Sequence, residues 1–502
     1  TTSVTLAAIR ESGSFGTESL IIDNTLGSGT YNETLGASFA NVSGVSVSGG
    51  PVTVAAGAAA DTSMLVGLSG STAGHHSGTV VVVFNSQAVN GSGLGTTQLP
   101  GLTKTITVQG DVYAVASTSF NTTSVTLAAI RESGSFGTEA LAINNTLGSG
   151  TYNETLGASF ANASGVSVSG GPVTVVAGAP ANTGMAVGLS GSTAGHHSGT
   201  VDVVFNSQAV NGSGLGTAPL PTKTITVQGD VYRLAAASAA SPAPVAFGNV
   251  FVGTTMTPQT LTIQNTAAAD GYSEKLNGGF GEATGGVLTN GSFSGLAAKQ
   301  YNSGLSVWIS TIEAGSKNGI ATINLISDGT ETSGYGPMPL STQEISVTGS
   351  VYDHASGSFG TSKTTTLLVP LGTWDLNSGT HTAPFSLYNL LSTAGYTAGL
   401  ALTGITPDSD NSSELSSDLA TFINLAADSH NDYIAQMLTS SMGVFSAKYT
   451  LHVTDAASGI GGTPRSEDLT LELTGTVTPE PATMSLIALG GLAVLFRRRR
   501  LR

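Results

Sequence analysis

The chain has 502 residues, 67 of them glycine, with 40% hydrophobic and only 9% charged positions, no cysteine and a formal net charge of −15. That length predicts several domains, the composition favours strands and turns over long helices, and the apolar share is large enough to fill cores. The acidic balance repels phosphate backbones and excludes nucleic acid as a partner, while the lack of cysteine excludes disulfides, thiolate metal sites and cysteine nucleophiles together.

Four copies of one unit follow one another. "TTSVTLAAIRESGSFGTE" at 1–18 recurs unchanged at 122–139. "TKTITVQGDVY" closes two units at 103–113 and 222–232, and "TQEISVTGSVY" (342–352) and "DLTLELTGTV" (468–477) close two divergent ones. The expected domains are 1–114, 115–233, 234–353 and 354–477, each about 115 to 125 residues and so large enough to stand without staples. The sequence opens at Thr1, without an initiator Met or a signal peptide. "YAVASTSFN" (113–121) reads as the first strand of the second unit, and the first unit has no counterpart. The first domain is therefore expected to lack an edge strand or to begin on an exposed one, and the chain to be an N-terminal truncation.

Inside each unit "SGTVVVVF" (77–84), "SGTVDVVF" (198–205), "NGIATINLI" (318–326) and "SAKYTLHV" (446–453) align. The exchange of Val81 for Asp202 marks a solvent-facing position, so Val80, Val82 and Phe84 should point inward. The run before it places Met64, Val66 and Leu68 inward, with Leu305, Val307 and Ile309 as their aligned counterparts in the third unit and Tyr433, Ala435 and Met437 in the fourth. By the same alignment 416–437, which has a helical look, is strand, turn, strand. Several short alternating strands per unit with Gly/Ser/Asn turns predict an all-β chain of tandem antiparallel Ig-like β-sandwiches. Units one and two should be stiffly joined, whereas "RLAAASAASPAP" (233–244) is the expected hinge. The stretch "AFGNVFVGTTMTPQTLTIQNT" (246–266) resembles the opening of the choice-of-anchor D, ASH-like family of Ig-like domains, which implies the fold and no activity.

Few residues suggest chemistry. "AGHHSGT" at 73–79 and 194–200 holds adjacent histidines, but neighbours on a strand point to opposite faces and zinc wants three or four ligands. The aligned Ser316-Lys317 and Val444-Phe445 exclude a metal site required by the fold, and a turn before a strand is the preferred reading. Asp408, Asp410, Glu414 and Asp418 gather in 408–418; a solvated acidic loop is preferred, with calcium as the alternative cation, since the EF-hand spacing is absent. Sequons such as Asn32, Asn153 and Asn411 are expected in solvated turns. No paired-carboxylate, Ser-His-Asp or phosphate-loop arrangement is found, so no enzyme and no cofactor are expected. Trp308, outward where other units have Gly67, Gly188 and Gln436, and Tyr301 are the residues on which a sugar would stack, which keeps a carbohydrate-binding array as the alternative function.

The last segment differs from everything before it. Residues 482–496 are apolar, and as a helix would span roughly 22 Å against roughly 30 Å of bilayer hydrocarbon. Five of the sixteen basic residues stand in the last six positions. Pro479 and Pro481 keep the approach extended. "PEP" (Pro479, Glu480, Pro481), the apolar run and Arg497, Arg498, Arg499 and Arg500 together resemble a PEP-CTERM sorting signal over 478–502. The resemblance implies a short transmembrane helix in the inner membrane of a Gram-negative bacterium, cleavage by an exosortase, and release to the surface in association with extracellular polysaccharide. The expected function is a structural or adhesive protein of the surface or biofilm matrix.

Overall fold

The computed structural model describes residues 2–456, 459–480, 487–494 and 496. The chain divides into two compact units, Thr1–Arg233 and Leu234–Arg502. Each holds two β-sandwiches with their own buried cores.

In the first sandwich the larger sheet runs Ser3–Thr5, Lys104–Tyr113, Gly74–Gln87, Thr34–Ser43, Val52–Val54. The smaller sheet runs Glu18–Ser19, Leu65–Leu68, Val45–Ser48. The second sandwich repeats this order with Ser124–Thr126 beside Lys223–Tyr232 and Gly195–Gln208, and the third with Val245–Phe251 beside Gln343–Tyr352 and Gly319–Asp328. The fourth sets Thr366–Asp375 beside Ser466–Thr478 and Gly443–Asp455, over a smaller sheet of four strands.

The alternation read from the repeats holds. Val80, Val82, Val201, Val203, Phe205, Ala321, Ile323, Leu451 and Val453 are all buried, as are Met64, Val66, Leu305, Val307, Ala435 and Met437. Residues 416–437 are strands, as expected, with Phe422–Leu425 and Ser429–Met437 joined by a short turn. Gly170 shows how tightly the sheets close: its φ is +65° and a Cβ there would lie 1.7 Å from the Gly184 carbonyl oxygen, a conformation and an approach that only glycine tolerates.

Three details differ from expectation. The sheets are antiparallel except along one edge of the closing strand: in every sandwich the opening strand lies parallel to it, as Ser3–Thr5 does on Thr107–Gln109 and Thr366–Asp375 on Ser466–Thr478, and in the first two Ile9–Arg10 and Ile130–Arg131 continue that parallel edge. Hydrophobic alternation is the same in both ladder types, so it could not reveal this. Residues 115–121 form no strand; the opening strand of the second sandwich is Ser124–Thr126, and its counterpart Ser3–Thr5 gives the first sandwich a largely exposed edge strand. Nor are residues 235–244 a loose linker. Ala235 and Ala240 are buried in the third core, and the Ala235 N–H donates to Ser327 Oγ at 2.8 Å. The small side chains that look like a linker are what let the backbone lie against the end of the sandwich.

Within each unit the two sandwiches are tied together. Ala114 bridges Asn153 and the rings of Tyr113 and Tyr152 meet at 5.6 Å. In the second unit Asp353 bridges Thr397, Tyr352 meets Tyr396 at the same 5.6 Å, and Phe251 stacks on His354 at 4.7 Å.

Candidate functional site

The closing strand Ser466–Thr478 leads directly into Pro479, which is half-buried, and Glu480, which is exposed. Proline lacks the N–H that pairing requires, so the ladder stops there. Pro481 and the basic stop Arg497, Arg498, Arg499 and Arg500 lie outside the described residues. Residues 487–494 and 496 are helical, and Ile487, Leu489, Leu492, Val494 and Phe496 are each at least half exposed. Among the described residues no helix is long and apolar enough to cross a membrane. The described residues thus hold a short apolar helix, and the rest of the span 482–496 expected to enter the membrane lies outside them.

The histidine pairs stand inside a strand, Gly74–Gln87 or Gly195–Gln208, and not in the turn before it. His75 Nδ1 lies 2.7 Å from Asp111 Oδ1 across the ladder, while His76 Nε2 lies 2.7 Å from the Thr72 carbonyl. His196 and His197 repeat both contacts, with Asp230 and Thr193. The two imidazoles of each pair therefore serve separate partners. Among the described residues no three His, Asp or Glu side chains form a group that could hold a metal ion.

The acidic loop does not converge either. Asp418 Oδ1 accepts the Ile434 N–H at 2.7 Å, and the Asp408 and Asp410 carboxylates share only long contacts with Ser409. Glu414 is buried and accepts from Ser440 Oγ at 2.8 and 3.0 Å. Hydrogen bonds from Ser441 and then Ser440 hold its carboxyl below the ordinary glutamate value of 4.5. A folded-state value depressed in this way stabilises above the unfolded-chain value, and the contribution is lost as the pH falls through the folded one. The fourth sandwich should therefore weaken on acidification below pH 4.5, and Glu414→Gln should flatten that acid limb. Denaturant midpoints followed by Trp374 fluorescence between pH 7 and about pH 3 test this; identical acid limbs in the two proteins would refute it.

Trp308 and Tyr301 share the strand Tyr301–Ile309. Trp308 is half-buried opposite Leu288, and Tyr301 is exposed opposite Gln264. A register shift between Asn302 and Leu305 turns both outward, yet at about 3.3 Å per residue they stand roughly 20 Å apart. They form no single platform for a sugar ring.

The polar residues on which the sandwiches depend were not anticipated from the sequence. Asn24, Asn145, Asn265 and Asn389 are buried in the four copies. Each donates its amide to two backbone carbonyls of the larger sheet's far side, as Asn145 does to Glu154 at 3.0 Å and Val175 at 3.2 Å. The signal was present as the recurring Asn in "DNT", "NNT", "QNT" and "YNL", but there an Asn reads as a turn residue. Glu154, fully buried, is paired with Arg10 of the preceding sandwich at 2.9 Å and accepts from Ser207 Oγ at 2.5 Å.

Compared with known proteins, residues 477–500 match the PEP-CTERM protein-sorting motif. No curated protein matches the chain. Among solved structures, the extracellular cadherin domains 1–5 of protocadherin gamma B2 are similar at 12% identity and a TM-score of 0.39, over 96% of this chain and 80% of that one. The human desmocollin-1 ectodomain is similar at 9% identity and a TM-score of 0.32, over 95% of this chain and 80% of that one. Drosophila N-cadherin EC1-4 is similar at 11% identity and a TM-score of 0.27, over 94% and 99%. Identities and scores this low lend the chain no ligand and no partner. Its C-terminus, however, carries the motif of exported proteins processed by an exosortase.

Proposed function

We propose that the chain is a non-enzymatic structural or adhesive protein that is exported, recognised by an exosortase at Pro479-Glu480-Pro481, cut there or nearby, and displayed or released among extracellular polysaccharide. The observation that carries this reading is the sorting-motif match at 477–500, placed directly after the last strand of the last sandwich. An extended, proline-held strip leaving a folded domain is accessible to a protease, and a brief apolar helix is an anchor suited to removal. The sandwiches support the structural part: their candidate histidines and carboxylates are committed to ladder and loop contacts, and repeated domains supply many weak contacts in place of one deep site. The Ig-like repeats are read, by their resemblance, as choice-of-anchor D relatives, and the inner membrane as a transient station of the precursor.

The test is the mature mass in an exosortase-bearing Gram-negative host. The unaltered chain should lose its terminal arginines, and a triple alanine replacement at 479–481 should keep them and stay with the cell membrane. Equal masses for the two proteins would sink the proposal.

A further inference from the structure

The end of the fourth sandwich from which the sorting segment leaves differs from the matching end of the other three. A six-residue loop stands there in each copy, at 69–74, 190–195, 310–315 and 438–443. It closes each time on a glycine with positive φ: Gly74 at +142°, Gly195 at +144°, Gly315 at +135° and Gly443 at +154°. In the first three copies the loop opens on Ser69, Ser190 or Ser310, and Ala73, Ala194 or Ala314 precedes the glycine. His75, His196 or Ser316 follows it. In the fourth these three places hold Leu438, Met442 and Val444, which are 44%, 57% and 83% exposed. All three exchanges run from small or polar to larger and apolar, at positions that solvent reaches. Apolar groups gathered in that way mark a contact surface.

The fourth loop is knitted to the exit of the chain. Gly443 pairs with Val477 and Val444 with Thr476, just ahead of Pro479. On the other side of the closing strand Trp374 pairs with Val477 and Asp375 with Thr478. The Leu376 N–H donates to the Thr478 carbonyl at 2.8 Å, and the Asn377 N–H to the Thr439 carbonyl at 2.8 Å. Trp374, 40% exposed, is stacked on His381 at 3.6 Å. Formal charge is sparse here. Residues 437–446 hold none, where the third copy sets Glu313 beside its exposed Ile312, and 371–381 hold the single carboxylate Asp375. Glu414, behind Ser440, is buried. In a chain of net charge −15 this end is therefore one that a phosphate-bearing surface does not strongly repel.

We infer that this end is a docking surface for a phospholipid bilayer, with Leu438, Met442, Val444 and Trp374 entering the headgroup layer while the precursor awaits cleavage; the inference rests on the reading of 478–502 as a membrane-held sorting segment. The length of chain selects the occupant. Four residues carry the chain from Thr478 to Ala482, where the apolar run begins, and four residues reach at most about 14 Å. The headgroup layer is itself roughly 5–7 Å thick. A run buried in hydrocarbon therefore holds the loop close against the surface. Tryptophan suits that layer, having an apolar ring and one polar edge. The tether makes the contact intramolecular, so a few side chains suffice for it. Cutting the tail removes that advantage and lets the sandwich leave.

The experiment reconstitutes the full chain, with Trp308→Phe so that Trp374 is its one tryptophan, into phosphatidylcholine vesicles that are plain or brominated high in the acyl chains. The vesicles are then recovered by flotation. Trp374 emission should be strongly quenched in the brominated vesicles. Leu438→Ser, Met442→Ala and Val444→Ser together restore residues found in the other copies. That triple variant should float and unfold thermally as the parent does, yet lose most of the quenching and emit further to the red in plain vesicles. Flotation with equal Trp374 emission in both kinds of vesicle overturns the inference alone, as does quenching that the triple variant keeps. Failure of the chain to float overturns the membrane reading of the tail and the inference with it. If Trp374 is not quenched but the triple variant keeps its tail longer in an exosortase-bearing host, the protease is the occupant and the inference falls.

Discussion

Asn265→Leu is expected to destabilise the third sandwich by about 3–5 kcal/mol, although leucine keeps the branching and heavy-atom count of asparagine and the site is fully buried. The reason is what surrounds it. The Asn265 amide donates to the Glu274 carbonyl at 3.3 Å and the Leu296 carbonyl at 3.1 Å, and Oδ1 accepts the N–H groups of Ala236 at 3.2 Å and Ala267 at 3.3 Å. Leucine offers none of these partners, and each buried backbone group left unpaired costs about 1–3 kcal/mol. The chain's two tryptophans make the measurement local: Trp308 lies in the third sandwich and Trp374 in the fourth. In a Trp374→Phe background the Trp308 denaturant midpoint should fall markedly, while Asn290→Leu, at an exposed strand end, should move it by no more than about 0.5 kcal/mol. A change under about 1 kcal/mol for Asn265→Leu would show that the asparagine is not the pin described here.

Arg10→Ala is the second large effect, and it should be felt in a different domain from the one that is changed. Arg10 belongs to the first sandwich, but the Glu154 carboxylate it neutralises is wholly buried in the second. Removing one partner of a buried pair leaves an uncompensated charge and costs about 3–5 kcal/mol, whereas replacing both with neutral side chains is often nearly free. Arg10→Met with Glu154→Gln should therefore recover most of what Arg10→Ala loses. The Glu154 N–H, bonded to the Ala114 carbonyl at 3.0 Å, is a direct reporter. Its hydrogen-exchange protection should drop by about a hundredfold in Arg10→Ala and be largely restored in the double variant. Unchanged protection in the single variant would mean that solvent or another group already satisfies Glu154.

These two sites also mark where the sequence stopped being readable. Repetition made the strands legible: one exchange, Val81 for Asp202, assigned the faces of four strands, and alignment overruled the helical look of 416–437. The sorting segment was legible because its proline pair, apolar run and arginines stand in order in the chain itself. The asparagines were not, since their partners lie nine and about thirty residues away and come together only in the folded sheet. Residues 235–244 misled for a related reason. Alanine and serine suit a free linker, and they equally suit a backbone that must lie flat on a core, and composition does not distinguish the two. The histidine pairs fell one step from their expected turn because the closing strand pairs with them along one edge and carries the ladder past the glycine and serine on either side of them.

The side-by-side, same-direction arrangement of opening and closing strands carries a mechanical consequence. When tension is applied to a sandwich through its two termini, those neighbouring strands are drawn in opposite senses along their length. Every hydrogen bond between them is loaded at once, and the pair must slide as a whole before any bond is free, where an antiparallel pair pulled from one end would peel bond by bond. In the fourth sandwich this clamp runs from Thr366–Thr470 to Asp375–Thr478, so the strand that leads into the sorting segment is itself half of the clamp, and a tether at that end would grip the domain where it best resists being torn open.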